Sequence, residues 1–338
     1  MSVFNNETDL AEAIDSVLMQ TFTDFEFIII NDASTDNSGK ILDNYAQQDQ
    51  RIRLINNEKN IKLAASLNRG IAVAKGEYIV RMDADDVALP DRFKQQYEFM
   101  QSNTQIAVSG TWVQVYEKAE IVWRTNISPE AANCAAFFES CFHHPTVIIR
   151  KSVLDEYGAY DDSIEYAQDC HLWSRLAFDH HLQLTNIPQV LLRYRSHPDK
   201  NRDEYRLAQH DKATTLRKKN LARLGIDIND DDYHWHDVLC RGKPLNTAQQ
   251  FLDLINWIRY LENANQQQQL LSAVDFKHEL EQKLLRVSLA SAKNTLSAVT
   301  TYMHYCGGHD LVKNLYRSAR MLKAYLLSSM TQSRVSHD

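Results

Sequence analysis

Tyr78-Ile79-Val80-Arg81-Met82-Asp83-Ala84-Asp85-Asp86 is an apolar run, Tyr78–Met82, that ends in three carboxylates within four residues. Such a run reads as a buried strand with concentrated negative charge at its carboxyl end. Two unit charges ~4 Å apart repel by about 1 kcal/mol in water and by about 4 kcal/mol at an effective dielectric of 20, so the cluster is costly unless a cation compensates it. Hard divalent ions such as Mg²⁺ and Mn²⁺ take oxygen ligands and keep substrate phosphates in their shell. Asp83–Asp86 therefore reads either as a metal site held against a diphosphate or as a solvated turn capping the helix that Pro90 opens.

Working outward, a second apolar run, Phe25-Glu26-Phe27-Ile28-Ile29-Ile30, ends in Asn31–Ser38, a stretch rich in cap and turn formers. Asp32, Ser34, Asp36 and Asp43 have roughly calcium-loop spacing, but Asn37 stands where that loop needs glycine and a strand precedes it. Helical spacing at Leu10, Ile14, Val17 and Leu18, at Ser38–Gln48 and at Lys62–Lys75 alternates with these runs and with a strand at Arg51–Ile55. Alternation of this kind predicts an α/β chain whose mostly parallel, Rossmann-like sheet is flanked by helices. Ligands of such sheets sit beyond the carboxyl ends of the strands, so the two acidic strand ends are expected to face one crevice.

Farther on, Val113, Val115 and Ile121–Trp123 suggest a hairpin, Thr146–Ile149 a short strand and Leu172–Leu176 a helix. From about residue 202 nearly everything reads as helix, with the glutamine run Gln266–Gln269 on a solvated surface or loop. The expected domains are 1–200, divided near 105, and a helical region 201–338. Leu311, Leu315, Ala319, Leu322 and Leu326 would line one face of a basic helix, and Leu311–Asp338 holds five Lys/Arg and one Asp. That face reads as an ordinary packed helix or as a peripheral dock on anionic lipid.

Composition narrows the function classes. The chain has 338 residues, 44% hydrophobic and 24% charged, with only nine glycines and six prolines, less than half the usual share. A net charge of −7 gains nothing from a phosphate backbone, so no nucleic-acid partner is expected. Cys134, Cys141, Cys170, Cys240 and Cys306 have no close pair and read as reduced thiols of a cytoplasmic protein. No apolar run approaches the roughly 20 residues that span a bilayer. The start, Met-Ser-Val-Phe-Asn-Asn-Glu, lacks the features of a signal peptide.

Several short motifs, in order and spacing, resemble glycosyltransferase family 2 over about residues 2–200. They are Phe4-Asn5, the Asn31–Ser38 turn, Asn68-Arg69-Gly70-Ile71, Gly76-Glu77-Tyr78-Ile79, the Asp83–Asp86 cluster, His144-Pro145-Thr146, Gly158-Ala159-Tyr160-Asp161, Gln168-Asp169-Cys170-His171-Leu172-Trp173 and Tyr194-Arg195-Ser196-His197. The resemblance implies a GT-A fold and an inverting, metal-dependent transfer from a nucleotide-sugar, commonly a UDP-sugar, to a glycan or lipid-linked acceptor. By the same resemblance, residues 1–105 form the nucleotide-sugar half and 106–200 the acceptor half. On the donor side it implies Phe4 stacking on the base, Asn5, Asp32 on the base edge, Asn68, Asp83 near the ribose, and Arg81 and Arg195 facing phosphate. Asp85 and His197 would hold Mn²⁺ or Mg²⁺, and Asp169 would be the base. His144 and Gln168, the latter in place of a usual glutamate, would lie near the acceptor. Trp173, one turn from Asp169, is either core or a sugar platform.

Two further departures are visible: Asn31 and Ala33 replace a common Asp and Gly. Relatives also carry several apolar residues ahead of the stretch matching Ser2-Val3-Phe4-Asn5, whereas Met1 begins almost at the loop. The first strand is therefore expected to be nearly absent, leaving the nucleotide pocket short of a wall. This departure, with Gln168, is the support for a non-catalytic relative that binds donor without turnover. A nucleotidyltransferase would need a glycine-rich basic loop near the first strand, which is not visible. The Gln-x-x-Arg-Trp motif and membrane helices of processive members are also missing, which favours single addition.

Overall fold

A computed structural model describes residues 1–116, 118–196, 202–229 and 233–292, together with 300, 302 and 305. His197 and the basic segment Leu311–Asp338 lie outside the described residues. The chain divides into two compact units, Met1–Leu216 and Arg217–Asp338, so the division falls later than residue 200.

The first unit alternates strand and helix: β1 (Ser2–Val3), α1 (Leu10–Leu18), β2 (Phe27–Asn31), α2 (Ser38–Gln48), β3 (Ile52–Asn56), α3 (Lys62–Val73), β4 (Tyr78–Val80), β5 (Val87–Ala88) and α4 (Arg92–Ser102). There follow β6 (Ile106–Val115), β7 (Lys118–Trp123), α5 (Pro129–Phe138), β8 (Ile148–Arg150), α6 (Lys151–Tyr157), α7 (Gln168–Ser174) and β9 (Gln183–Tyr194). A chain with these elements is α/β, as its sequence periodicity predicts.

Strands β1, β2 and β3 form one parallel sheet. Only two residues long, β1 still pairs in register with β2, Ser2 opposite Ile30 and Val3 opposite Asn31. A second sheet, in the order β4-β8-β6-β9-β5 with β7 beside β6, mixes directions: β6 and β9 run parallel and its other pairings are antiparallel. The sheet is thus less parallel than the strand–helix alternation suggests, because β6 turns directly into β7 as the expected hairpin and β8 returns against both β4 and β6.

Local sequence accounts for these elements. In α1, Leu10, Ala13, Ile14 and Val17 recur on one face and are all buried. The apolar β2 is enclosed on both faces, as parallel strands are. Helix α3 approaches β2 at Gly70, where a Cβ would come within 2.8 Å of Ile30 Cδ1. In α5, Ser128 accepts from the Ala131 N–H at 3.1 Å and Pro129 occupies the first turn.

In the second unit, α9 (His234–Arg241), α10 (Ala248–Gln268) and α11 (Ala273–Ser291) follow α8 (Arg202–Arg223), which spans the division. Thr247 and Gln250 close a capping box at the start of α10. Phe251, Leu254, Ile258, Leu280 and Leu284 make its core, and the run Gln266–Gln269 lies exposed at the end of α10. Among the described residues, no helix is long and apolar enough to cross a membrane.

Candidate functional site

Beyond β4 the chain bends at Ala84 and Asp85, while burial alternates residue by residue from Met82 to Ala88. Met82 and Ala84 turn into the core beside Val113 and Leu192, so Asp83 and Asp85 turn outward and Asp86 inward, where it is fully buried. Oxygens of Asp83, Asp85 and Asp86 all lie within 4.8 Å of one another. Burial, then Asp83 and Asp85, push the Asp86 pKa up to about 8, although the backbone N–H of Arg195 donates to its Oδ1 at 2.9 Å. Its Oδ2 is buried without a hydrogen-bond partner. An orphaned carboxylate oxygen among hard, negative donors fits a divalent cation of the Mg²⁺ or Mn²⁺ class.

Two arginines hold this loop in place. Arg81, 5% exposed, donates to Asp83 through Nη1 at 2.6 Å. Arg195 donates through Nε to the Asp85 carbonyl at 2.9 Å and through Nη2 to Glu12 at 2.6 Å, pairs with Asp9 at 3.3 Å, and lies over the Tyr116 ring at 4.0 Å. The Arg195 guanidinium thus engages acidic side chains and the loop itself, so its place is behind the acidic loop.

Tyr160 is buried near this loop. Its hydroxyl lies 2.7 Å from His144 Nε2, and its pKa is raised by burial and by both Asp169 and Asp83, with Arg81 opposing. Asp83 and Asp169 therefore act on one hydroxyl. Asp169, half-buried in the first turn of α7, accepts from Ser140 Oγ at 3.0 Å. Burial, with Arg81 nearby, holds the His144 pKa well below the ordinary histidine value, so the ring is neutral. Gln168 is buried beside Asp169. Trp173 is fully buried and packs edge-on against Phe142 at 5.1 Å; it is core and offers no face to an acceptor.

Asn68 is engaged by the Tyr160 loop. Its amide donates to Tyr160 O at 2.8 Å and accepts from Tyr160 N at 3.1 Å, a two-bond clamp between residues 92 apart. Both ends of the side chain serve the Tyr160 loop.

The first two strand ends build the remaining wall. Phe4 is 49% exposed. Asn5 Oδ1 accepts from Thr35 N at 2.8 Å, joining the β1 and β2 loops. Asp32 is buried, accepting from Asn57 Nδ2 at 2.7 Å, Ile61 N at 2.9 Å and Lys62 N at 3.0 Å. Three donors leave its two oxygens about one free lone-pair site of four. Ala33 stands at φ 59, a left-handed conformation that glycine adopts more easily.

Sequence reasoning missed Tyr160 and Asp86 as individual residues. Tyr160 lay within the Gly158–Asp161 motif without a role, and the signal for Asp86 was the two-residue alternation continuing past β4. Glu12 and Asp9, which engage Arg195, carried no local signal.

A family model described as Glycosyl transferase family 2 matches residues 1–158. The chain is 31% identical over 230 residues to the O-antigen biosynthesis glycosyltransferase WbnJ of Escherichia coli, a match covering 67% of this chain and 89% of that protein. The mannosyltransferase PcManGT from Pyrobaculum calidifontis, solved with GDP-Man and Mn²⁺, superposes with a TM-score of 0.54 at 16% identity, covering 100% of this chain and 86% of that one. S. aureus TarS superposes with a TM-score of 0.51 at 15% identity over 94% of this chain, which spans about half, 53%, of that longer protein. A TarS fragment, residues 1–349, is solved in complex with UDP-GlcNAc.

Proposed function

The chain belongs to glycosyl transferase family 2 and has the GT-A fold, and from that premise we propose that it moves one sugar from a UDP-linked donor to a hydroxyl of a cell-surface glycan or its lipid-linked precursor, with inversion and with Mn²⁺ or Mg²⁺. What supports the reading is the cluster of Asp83, Asp85 and Asp86 just past β4, whose Asp86 Oδ2 is buried without a hydrogen-bond partner.

Inversion takes one in-line displacement, so one base suffices. Asp169 fills that role: Ser140 orients its carboxylate through Oδ2, leaving Oδ1 to take the proton of the acceptor hydroxyl. Asp85, with Asp83 and Asp86, would hold the metal, which when bound offsets the charge that develops on the departing diphosphate. Arg81, buried beside Asp83, adds a fixed positive charge at the same place. Phe4 offers the exposed ring for the base, and Asp32 uses its remaining lone pair on the base edge. Neutral His144 fixes the Tyr160 hydroxyl between donor and acceptor sides. Holding both substrates in line supplies about 7–11 kcal/mol of the barrier.

UDP is favoured by the TarS fragment solved with UDP-GlcNAc, and a divalent ion by PcManGT with Mn²⁺. The acceptor class follows the O-antigen role in the name of WbnJ. We place the reaction at the cytoplasmic face of a membrane, where the basic sequence of Leu311–Asp338 would meet anionic lipid.

A panel of nucleotide-sugars scored by thermal shift tests the reading, because a ligand that binds the native state raises its stability. A UDP-sugar with Mn²⁺ should give the largest shift, and product NMR should show an inverted anomeric centre. No shift with any nucleotide-sugar, or a retained configuration, would overturn it.

A further inference from the structure

One row of residues crosses the second sheet and ends on an exposed ring. Trp123 of β7 pairs with Val113 of β6, Val113 with Leu192 of β9, and Leu192 with Ala88 of β5. Residues directly opposed across strands share a face of the sheet. Val113, Leu192 and Ala88 are buried in the core cluster that also takes Met82 and Ala84 of the acidic loop. Trp123, at the end of the row, is 37% exposed. The face that carries this indole is therefore the face against which the acidic loop packs.

Two neighbours hold the ring without enclosing it. Tyr194, two residues on from Leu192 and so on the same face, has its ring 5.4 Å from that of Trp123, tilted by 44°. The His143 ring lies 6.0 Å away, tilted by 34°. Each neighbour leads to one part of the site. Arg195, next after Tyr194, donates its backbone N–H to Asp86 Oδ1 at 2.9 Å. His143 stands between Phe142 and His144, and His144 Nε2 is 2.7 Å from the Tyr160 hydroxyl. Ser140 Oγ lies 3.0 Å from both the Phe142 carbonyl oxygen and Asp169 Oδ2. Trp123 is thus tied through short links to the carboxylate cluster and to the proposed base.

The chemistry of an exposed indole suits one kind of ligand here. Its π face is negative, so it attracts the polarised C–H groups that a pyranose shows on its less hydroxylated face. The hydroxyls on the rim of such a sugar stay clear of the ring and meet polar groups. Small-molecule sites combine aromatic walls with a few placed polar side chains in this way.

We infer that Trp123 is the acceptor platform: a pyranose of the acceptor lies with its C–H face on this indole and its hydroxyl edge toward Asp169. The inference rests on the proposed glycosyl transfer and supplies what that reading leaves open, the residue that grips the acceptor. It gives Trp123 the part that Trp173, enclosed in the core, cannot play.

The test titrates the full chain, isotope-labelled at its indole nitrogens, with the methyl glycosides of glucose, galactose and N-acetylglucosamine, and with uridine as the control for indiscriminate stacking. Trp123→Phe or Trp123→Tyr assigns the Trp123 signal by its loss. At least one glycoside at millimolar concentration should move that signal saturably and leave the signal of buried Trp173 in place. Trp123→Leu should weaken the same glycoside by about 10-fold, the upper worth of one aromatic face, and Trp123→Tyr by less than about threefold. A signal that no glycoside moves would overturn the platform. So would unchanged affinity in Trp123→Leu, or uridine binding at Trp123 as well as any glycoside. A Trp123 signal that moves with protein concentration alone would give this face to a second copy of the chain and overturn it too. Nucleotide binding with Mn²⁺ is read separately by thermal shift: its failure sinks the proposed transfer, while the glycoside titration alone decides Trp123.

Discussion

Replacing Asn68 by alanine separates two roles that the residue could have. If its amide clamps the Tyr160 loop, Asn68→Ala removes two hydrogen bonds, at 2.8 and 3.1 Å, and leaves the Tyr160 backbone N–H and C=O without them. Each buried polar group stranded in this way costs about 1–3 kcal/mol. Some rehydration is available because the clamp is only part-buried, so the expected loss is about 2–4 kcal/mol. For a domain of this size each kcal/mol moves the melting temperature by about 2–4 °C, giving a fall of about 5–15 °C. Freed from Asn68, Tyr160 also loosens its bond to His144 and its station beside Asp169, so turnover should fall by about 10- to 100-fold, the range expected for a displacement near 1 Å. Donor affinity measured by calorimetry should change by less than about twofold, since both polar atoms of the side chain are already engaged by the Tyr160 backbone. The assays are a thermal melt, exchange at the Tyr160 amide, and donor titration with Mn²⁺. An unchanged melting temperature with lost donor affinity would refute the clamp and restore Asn68 to the donor pocket.

Other outcomes follow from the same geometry. Asp85→Ala should abolish the thermal shift produced by Mn²⁺ and should weaken donor binding only when metal is present; an undiminished Mn²⁺ shift would remove Asp85 from the metal site. Asp169→Asn should keep donor affinity and lower turnover by about 10²–10⁴-fold, the usual worth of a positioned base, and a variant of near-normal activity would exclude that role. His143, packed near Trp123 at 6.0 Å, has its pKa lowered to about 4 by burial. The unfolded chain then binds more protons between about pH 6.5 and 4, so stability is lost as pH falls through that window, by about 3 kcal/mol at its foot. His143→Gln should flatten that part of the stability–pH curve, and identical curves for both proteins would show that His143 is not its source.

The α/β class was legible because β2 and α1 carry their burial pattern in consecutive residues: three isoleucines in a row for an enclosed strand, and Leu10, Ala13, Ile14 and Val17 for one helical face. The acidic end of β4 was legible for the same local reason. What hid was every contact made across the chain. Asn68 carried no hint of Tyr160, 92 residues away, nor Arg195 of Glu12, 183 residues away. Trp173 looked alike as core or platform until Phe142 and His144 were seen against it. The stub strand β1 reads as almost nothing in sequence, yet its two residues keep full register with β2 because Met1 and Val3 supply the carbonyls that Ile30 and Asp32 need.

Anomalous diffraction from a crystal grown with Mn²⁺ and UDP tests the central claim most directly. The account predicts one manganese peak bound by Asp85 with Asp83 or Asp86, with the diphosphate beside it and Asp169 lining the same cleft. Manganese bound elsewhere on the protein, or a diphosphate seated away from these four carboxylates, would contradict it.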